Sequence, residues 1–472
     1  MELIQKLNLM INTDLIRAIV AKNLFVKNLF WPFLKIIPNK FLYGKTFFKI
    51  IDMINKNQCN NKFIENWIES NLNRLIVKSL KVNFYKNSFK NISKIKDNLF
   101  KSKNSNLIKM FPITNKSVLK NSMNDFIVGD ESSYDLCTTG GTSGKPLGFY
   151  LEKNRSPKEW AFINNFWSKS GYRIGEWRMV FRGVSSLGNN TWYIDNFLNE
   201  IYVSPFSLNE ASMNDFYKLI IKYKVNYLHG YPSAIYIFSK YLLNKTHINL
   251  NDIDIKGVFL VSEKVENFQK NIIQKCFKKA KILSFYGLSE KVLFAEEKNN
   301  VYEFNPFYGY AELIDNSGNL ITKKNTRGRI IGTGFLFDGT LFIRYDTGDT
   351  AELIELPSKN NYYRLRVKNI HPRRSQEFLV GKNNELISMT AINLHSVSFL
   401  LIKEFQFFQL KKGYVTFKYV TDLSNLDIDQ LILELENKIG GSVHFKTQRV
   451  KTIKRTKIGK FKYIDQRLKF EF

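Results

Sequence analysis

The chain has 472 residues, 44% of them hydrophobic and 15% aromatic, which is enough apolar surface for globular domains and too much for a disordered chain. Its 71 Lys and Arg against 42 Asp and Glu leave a formal charge of +29, spread along the whole length with no basic helix of the kind that enters a nucleic-acid groove. A diffuse Lys/Asn/Ile bias accounts for that charge as readily as attraction to anionic substrates or peripheral association with an anionic membrane does, and no specific nucleic-acid partner is expected.

Residues 1–125 read as mostly helical. The most apolar part, Leu15 to Ile37, is interrupted by Arg17, Lys22, Lys27 and Lys35, so it lacks the run of about 20 apolar residues a spanning helix needs. Packed helices broken at Pro32 and Pro38 are preferred to an interfacial membrane helix, and Ile64 to Tyr85 predicts another amphipathic helix. No signal peptide is recognisable. Cys59, Cys137 and Cys276 are scattered and make neither a disulfide framework nor a metal cluster, which fits a reducing cytoplasm.

Next comes Cys137-Thr138-Thr139-Gly140-Gly141-Thr142-Ser143-Gly144-Lys145-Pro146, with three glycines, four hydroxyls and one lysine. Glycine allows the backbone to turn its N–H groups toward an anion, while Thr, Ser and Lys add donors and charge. The stretch reads as a phosphate-holding loop followed by a strand, Leu147 to Leu151. It is not a Walker A loop: Thr139 stands where that motif has its first Gly, and Pro146 where it has its metal-binding hydroxyl.

From about residue 130 to 350 strands and helices alternate. Val225 to Leu228 is a strand ending in His229-Gly230-Tyr231-Pro232-Ser233, and Ser233 is expected to cap a helix running to about Leu243. Ile255 to Val261 is a strand, Val265 to Ala280 a helix, and Lys281 to Tyr286 a strand ending at Gly287. This β-α-β-α-β order implies a parallel sheet with sites at its carboxyl ends, so Tyr231, Ser262 and Tyr286 should face a shared crevice. Tyr302 to Glu355 turns to short β runs, expected as an antiparallel sheet or distorted barrel. It contains Arg344-Tyr345-Asp346-Thr347-Gly348-Asp349, a strand followed by a Gly turn with two carboxylates. From about 375 to 472 the pattern is a small α+β domain with a helix over Asp427 to Ile439 and a basic end carrying Gly459-Lys460.

These segments, in this order, resemble the adenylate-forming superfamily over nearly the whole chain, and within it the phenylacetate–CoA ligase branch of the capsular-polysaccharide type. Thr138 to Pro146 is similar to its phosphate loop, Tyr286-Gly287-Leu288-Ser289-Glu290 to its aromatic-Gly-x-x-Glu motif, Tyr345 to Asp349 to its ribose motif, and Gly459-Lys460 to its C-terminal lysine motif. The resemblance implies a large lobe of α/β sheets flanked by helices with a distorted β-barrel, plus a small mobile α+β domain. The parts are expected at 1–125 (helical part of the large lobe), 126–374 (nucleotide- and substrate-binding core) and 375–472 (small domain).

It also implies ATP and Mg²⁺ as cofactors and a two-step reaction: a small carboxylic or amino acid becomes an acyl-adenylate, then passes to a thiol such as CoA or to an amine, sugar-linked in a polysaccharide setting. Thr138, Thr139, Gly140, Gly141, Thr142, Ser143, Gly144 and Lys145 would hold phosphates. Tyr286 and Gly287, with Ser262 and Glu263, would enclose adenine, and Asp349 would hold the ribose hydroxyls. Glu290 would ligate the metal, since a hard cation takes oxygen and keeps several waters. Lys460 would stabilise the transition state of adenylation. Asp346 suits a turn role.

The chain departs from the family at the hinge, where Arg373-Arg374-Ser375-Gln376-Glu377 replaces Gly-Arg-x-x-Asp. Arg374 matches, Glu377 stands for Asp, and Asn384 takes the place of a later Gly. The cysteine zinc site of some relatives has no counterpart. His229 and Tyr231 fall where a substrate pocket would lie, and Trp160, Phe166, Trp167 and Phe181 serve equally as pocket or core. The alternative is a non-catalytic protein of this fold that binds nucleic acid or an anionic surface.

Overall fold

The computed structural model describes residues 39–88, 103–139, 147–153, 155–182, 190–205, 207–371, 378–388, 392, 402, 404–421, 423, 426–453 and 463–468. Leu15 to Ile37 lies outside them. The helical start comprises α1 (Asn39–Asn57), α2 (Asn61–Ser79), α3 (Asn83–Ser88), α4 (Asn104–Leu107) and α5 (Lys116–Asn121). The helix expected over Ile64 to Tyr85 is two helices. Ser79 Oγ donates back to Ile76 O at 2.6 Å, and α2 stops there.

A hairpin of β1 (Tyr134–Thr138) and β2 (Gly148–Glu152) follows, then α6 (Ser156–Trp167), β3 (Arg178–Phe181), β4 (Trp192–Asp195), β5 (Glu200–Val203) and α7 (Glu210–Tyr223). β6 (Tyr227–Gly230), α8 (Pro232–Asn244), β7 (Gly257–Leu260), α9 (Asn267–Cys276) and β8 (Lys281–Gly287) realise the predicted alternation. β9 (Phe294–Lys298), β10 (Val301–Phe304), β11 (Gly309–Ile314), β12 (Arg327–Gly334), β13 (Tyr345–Glu355) and β14 (Arg366–His371) complete a twelve-stranded sheet ordered β11-β12-β13-β14-β10-β9-β8-β7-β6-β3-β5-β4.

β3, β5, β6, β7 and β8 pair in parallel, whereas β8 pairs with β9 antiparallel. The sheet therefore changes character at β8, where Tyr286 stands. Side chains alternate across the parallel half. Met179, Phe181, Leu228, Val258 and Leu260 pack with Phe216, Phe238 and Ile273 of α7, α8 and α9. Tyr227 and Phe259 pack on Trp167 of α6, whose ring stacks on Phe259 at 4.5 Å. Gly230 ends β6 because no Cβ fits: one placed there would lie 2.2 Å from Phe181 O.

Two predicted elements shift. α9 begins at Asn267 because Glu266 and Gln269 form a capping box. α8 begins at Pro232 with Tyr231 at the cap position and no side-chain cap. Ser233 is thus not the cap. It lies inside the first turn, and its N–H is taken by Glu263, as described below.

At the carboxyl end, β15 (Phe378–Val380) pairs with β16 (Leu386–Ser388). β17 (Glu404–Lys411), β18 (Tyr414–Val420), α10 (Ile428–Ile439), β19 (His444–Arg449) and β20 (Ile464–Gln466) form a sheet ordered β19-β18-β17-β20 with one helix. Gln409 joins the hairpin to it, accepting from Val380 N at 2.8 Å and donating to Val380 O at 2.7 Å. Asn384 takes φ +67°, a conformation that asparagine tolerates. Among the described residues no helix is long and apolar enough to cross a membrane.

Candidate active site

Two five-residue segments meet at the sheet's change of direction: Tyr286 to Glu290 after β8, and Tyr345 to Asp349 opening β13. Their contacts are reciprocal. Tyr286 Oη donates to Asp349 Oδ2 at 2.8 Å, and Tyr345 Oη donates to Glu290 Oε1 at 2.6 Å. Each tyrosine thus holds the terminal carboxylate of the other segment. Burial and the neighbouring carboxylates, Asp349 for Tyr286 and Glu290 for Tyr345, push both phenols well above their ordinary value, so they remain protonated donors.

Tyr345 is fully buried and Glu290 is 3% exposed. Glu290 sits in a turn, not at a helix start as a surface glutamate would. The ammonium of Lys116, first residue of α5, stands 3.5 Å from the same Oε1. Lys116 carried no signal in the sequence. It reaches the site because Thr114 bridges to Tyr345, with Thr114 N donating to Arg344 O at 3.1 Å and Asp346 N to Thr114 O at 2.7 Å.

The segment Tyr345 to Asp349 is not a strand followed by a turn, as expected, but the bulged start of β13 itself. Gly348 takes φ +83°, which the bulge requires. Asp346 has the predicted turn role: it accepts from Gly348 N at 2.8 Å and from Arg329 Nη1 at 2.6 Å. Asp349 N donates to Thr347 Oγ1 at 3.1 Å, and the Asp349 carboxylate stays bonded to Tyr286. Left-handed backbone at Ser262, Lys291 and Arg344 (φ +69°, +56° and +45°) flanks these segments. Such strain collects at sites where the surroundings over-determine it. Arg344 shows how: its side chain grips Glu312 with two contacts of 3.1 Å and the carbonyls of Lys109 and Phe111.

The remaining expected site residues divide. Glu263 Oε2 accepts from Ser233 N at 3.2 Å, placing a carboxylate on the first turn of α8, where the helix dipole favours it. Ser262 and Gly287 are exposed at the ends of β7 and β8. Tyr231 is 3% exposed within the core on the α8 side, so it does not share the crevice surface with Tyr286. His229 is buried against Trp167 at 4.8 Å, and burial, with Arg178 and Arg182, holds its pKa well below the usual value. Phe166, Trp167 and Phe181 are core residues.

Thr139 closes the neck of the loop: Thr139 N donates to Leu147 O and Leu147 N to Thr139 Oγ1, both at 3.0 Å. Thr138 ends β1 beside it, 6% exposed. Gly140, Gly141, Thr142, Ser143, Gly144 and Lys145, the hinge residues Arg374 and Glu377, and Lys460 lie outside the described residues.

A divalent cation is implied by the resemblance. Glu290 fits one: it offers a hard carboxylate at the end of the Tyr286 segment, and a cation, the Lys116 ammonium, already rests against it. Glu290 would act as a single protein carboxylate: no cluster of three or more His, Cys, Asp or Glu that could hold a metal occurs among the described residues.

The fold is shared with solved structures of an acyl-CoA ligase. 2-Hydroxyisobutyryl-CoA ligase in the thioesterification state with 2-HIB-AMP and CoA matches with a TM-score of 0.54 at 13% identity, covering 84% of this chain and 89% of that one. The same ligase in an open conformation with 2-HIB-AMP and CoA matches with a TM-score of 0.51 at 13% identity, covering 84% and 90%. In sequence the chain is similar to Protein CapK of Staphylococcus aureus, 24% identical over 376 residues, 77% of this chain and 81% of that protein. No protein-family model matches the chain.

Proposed function

We propose that the chain is an ATP-dependent, AMP-forming enzyme that activates a carboxylic acid, in the manner of the phenylacetate–CoA ligases. The observation that supports this reading is the reciprocal pair Tyr286–Asp349 and Tyr345–Glu290, which joins the two segments that resemble the family's aromatic-Gly-x-x-Glu and ribose motifs. Asp349 accepts from the ribose hydroxyls, as an ionised carboxylate with two oxygens can. The Tyr286 ring lies along adenine, with Ser262, Glu263 and Gly287 at the rim. The segment between Thr138 and Lys145 holds the phosphates through N–H and hydroxyl donors. Mg²⁺ bound at Glu290 would screen phosphate charge.

The substrate carboxylate attacks the α-phosphorus, pyrophosphate leaves, and Lys460, carried by the small domain from residue 375 onward, stabilises the charge that shifts between them. A thiol such as CoA, or an amine, then displaces AMP. Similarity to CapK and to the capsular-polysaccharide type supports a role in decorating a cell-surface polysaccharide.

Pyrophosphate–ATP exchange across a panel of carboxylic and amino acids tests this. Acid-dependent exchange is expected. Folded protein that exchanges with no acid would refute the reading. Lys460→Ala should abolish exchange and leave ATP binding nearly intact.

A further inference from the structure

We propose that Lys116 is the resident counter-cation of Glu290, and that a divalent cation reaches this carboxylate only by displacing the lysine ammonium. The inference rests on Glu290 being the metal carboxylate of the reading above.

A carboxylate 3% exposed needs a compensating charge before any nucleotide or metal arrives. Among the described residues Lys116 is the cation within ion-pair distance of it. Its placement is built rather than incidental. Thr114, two residues earlier, is hydrogen-bonded on both sides of Tyr345, and the Asn115 side chain caps α5 by accepting from Ser117 N at 2.9 Å and Val118 N at 3.1 Å. The Lys116 backbone is therefore fixed beside the residue that itself holds Glu290.

The distances decide how tightly the charge is held. Tyr345 makes the short bond, 2.6 Å, to Oε1. Lys116 Nζ stands at 3.5 Å from the same oxygen, beyond the roughly 2.7–2.9 Å of a charge-assisted hydrogen bond. The lysine side chain is 24% exposed and flexible. The arrangement thus has a fixed neutral donor, Tyr345, and a loosely held, replaceable cation, Lys116. The first keeps the carboxylate aimed while the second exchanges with metal, so the carboxylate has a cation beside it whether or not metal is bound.

The test is Mn²⁺ binding to the nucleotide-free full-length protein near neutral pH, read by electron paramagnetic resonance, with no turnover involved. Lys116→Met should bind Mn²⁺ about ten-fold more tightly than the parent, because competitor and repulsion are both gone. Lys116→Gln, which keeps a donor without the charge, should do the same and serves if the Met variant folds poorly. Lys116→Arg, which restores the charge, should return to the parent affinity. Glu290→Gln should remove the site. If Lys116→Met and Lys116→Gln bind Mn²⁺ as the parent does while Glu290→Gln loses it, the exchange proposal is overturned and the metal assignment survives. If Glu290→Gln leaves Mn²⁺ binding unchanged, both fall.

Discussion

Tyr286 and Asp349 lie 63 residues apart in sequence and share a 2.8 Å hydrogen bond. The bond fixes the Asp349 carboxylate against the Tyr286 phenol without any ligand. Asp349→Ala should weaken ATP binding about ten-fold or more through lost charge-assisted bonds, and isothermal titration calorimetry would show it. The variant should also cease to distinguish ATP from 2′- or 3′-deoxy-ATP. Retained discrimination would remove Asp349 from the ribose site.

Tyr286→Phe keeps the ring and deletes the donor. Nucleotide affinity should fall only a few-fold, whereas Tyr286→Ala should lose more, about ten-fold, with the stacking face. Equal losses in the two variants would mean that the phenol, not the ring, is what the nucleotide senses.

His229 sets an acid limit on stability. Burial, aided by Arg178 and Arg182, depresses its folded pKa well below 6.5, so the folded chain keeps the ring neutral while the unfolded chain takes up a proton. Above about pH 6.5 both states are neutral and the group contributes no pH dependence; as pH falls below that value stability should drop by about 1.4 kcal/mol per pH unit until the folded pKa is reached. His229→Phe should flatten this limb in urea unfolding measured at several pH values. An unchanged slope would clear His229 of the effect.

The Arg178–Glu200 pair is buried, with the guanidinium 4.7 Å from the Trp167 ring centre, 5.4 Å from Tyr172 and 5.8 Å from Trp160. Among the described residues Arg178 Nε and Nη1 find no hydrogen-bond acceptor, and aromatic faces stand beside the guanidinium. Glu200→Ala strands the cation and should cost about 3–5 kcal/mol, whereas Arg178→Met with Glu200→Leu should recover most of that loss. Denaturant midpoints of the single and double variants decide it.

Gly230→Ala should destabilise by about 2 kcal/mol or more, since the new methyl would sit 2.2 Å from the Phe181 carbonyl oxygen and force β3 and β6 apart. A thermal shift within error of the parent would show that this strand end tolerates movement.

Local signals carried most of the fold. The β-α-β-α-β alternation and the turn role of Asp346 follow from periodicity and from a side chain that bonds its own backbone, interactions confined to a few residues. Two expected roles changed where packing from elsewhere intervened. Ser233 lost its expected capping role because Glu263, thirty residues on, took the same helix turn. Tyr231 went into the core because the strand before it runs to Gly230.

The composition, the order of motifs and the residue types in them were legible in the chain, because each depends on covalent neighbours and local chemistry. Which tyrosine holds which carboxylate, that Glu290 is buried, and that Lys116 stands against it were not legible there. Those facts depend on how a twelve-stranded sheet brings residues 116, 290 and 345 together, and on the burial that makes an unpaired charge expensive. No local pattern encodes a distance between segments more than fifty residues apart; packing does.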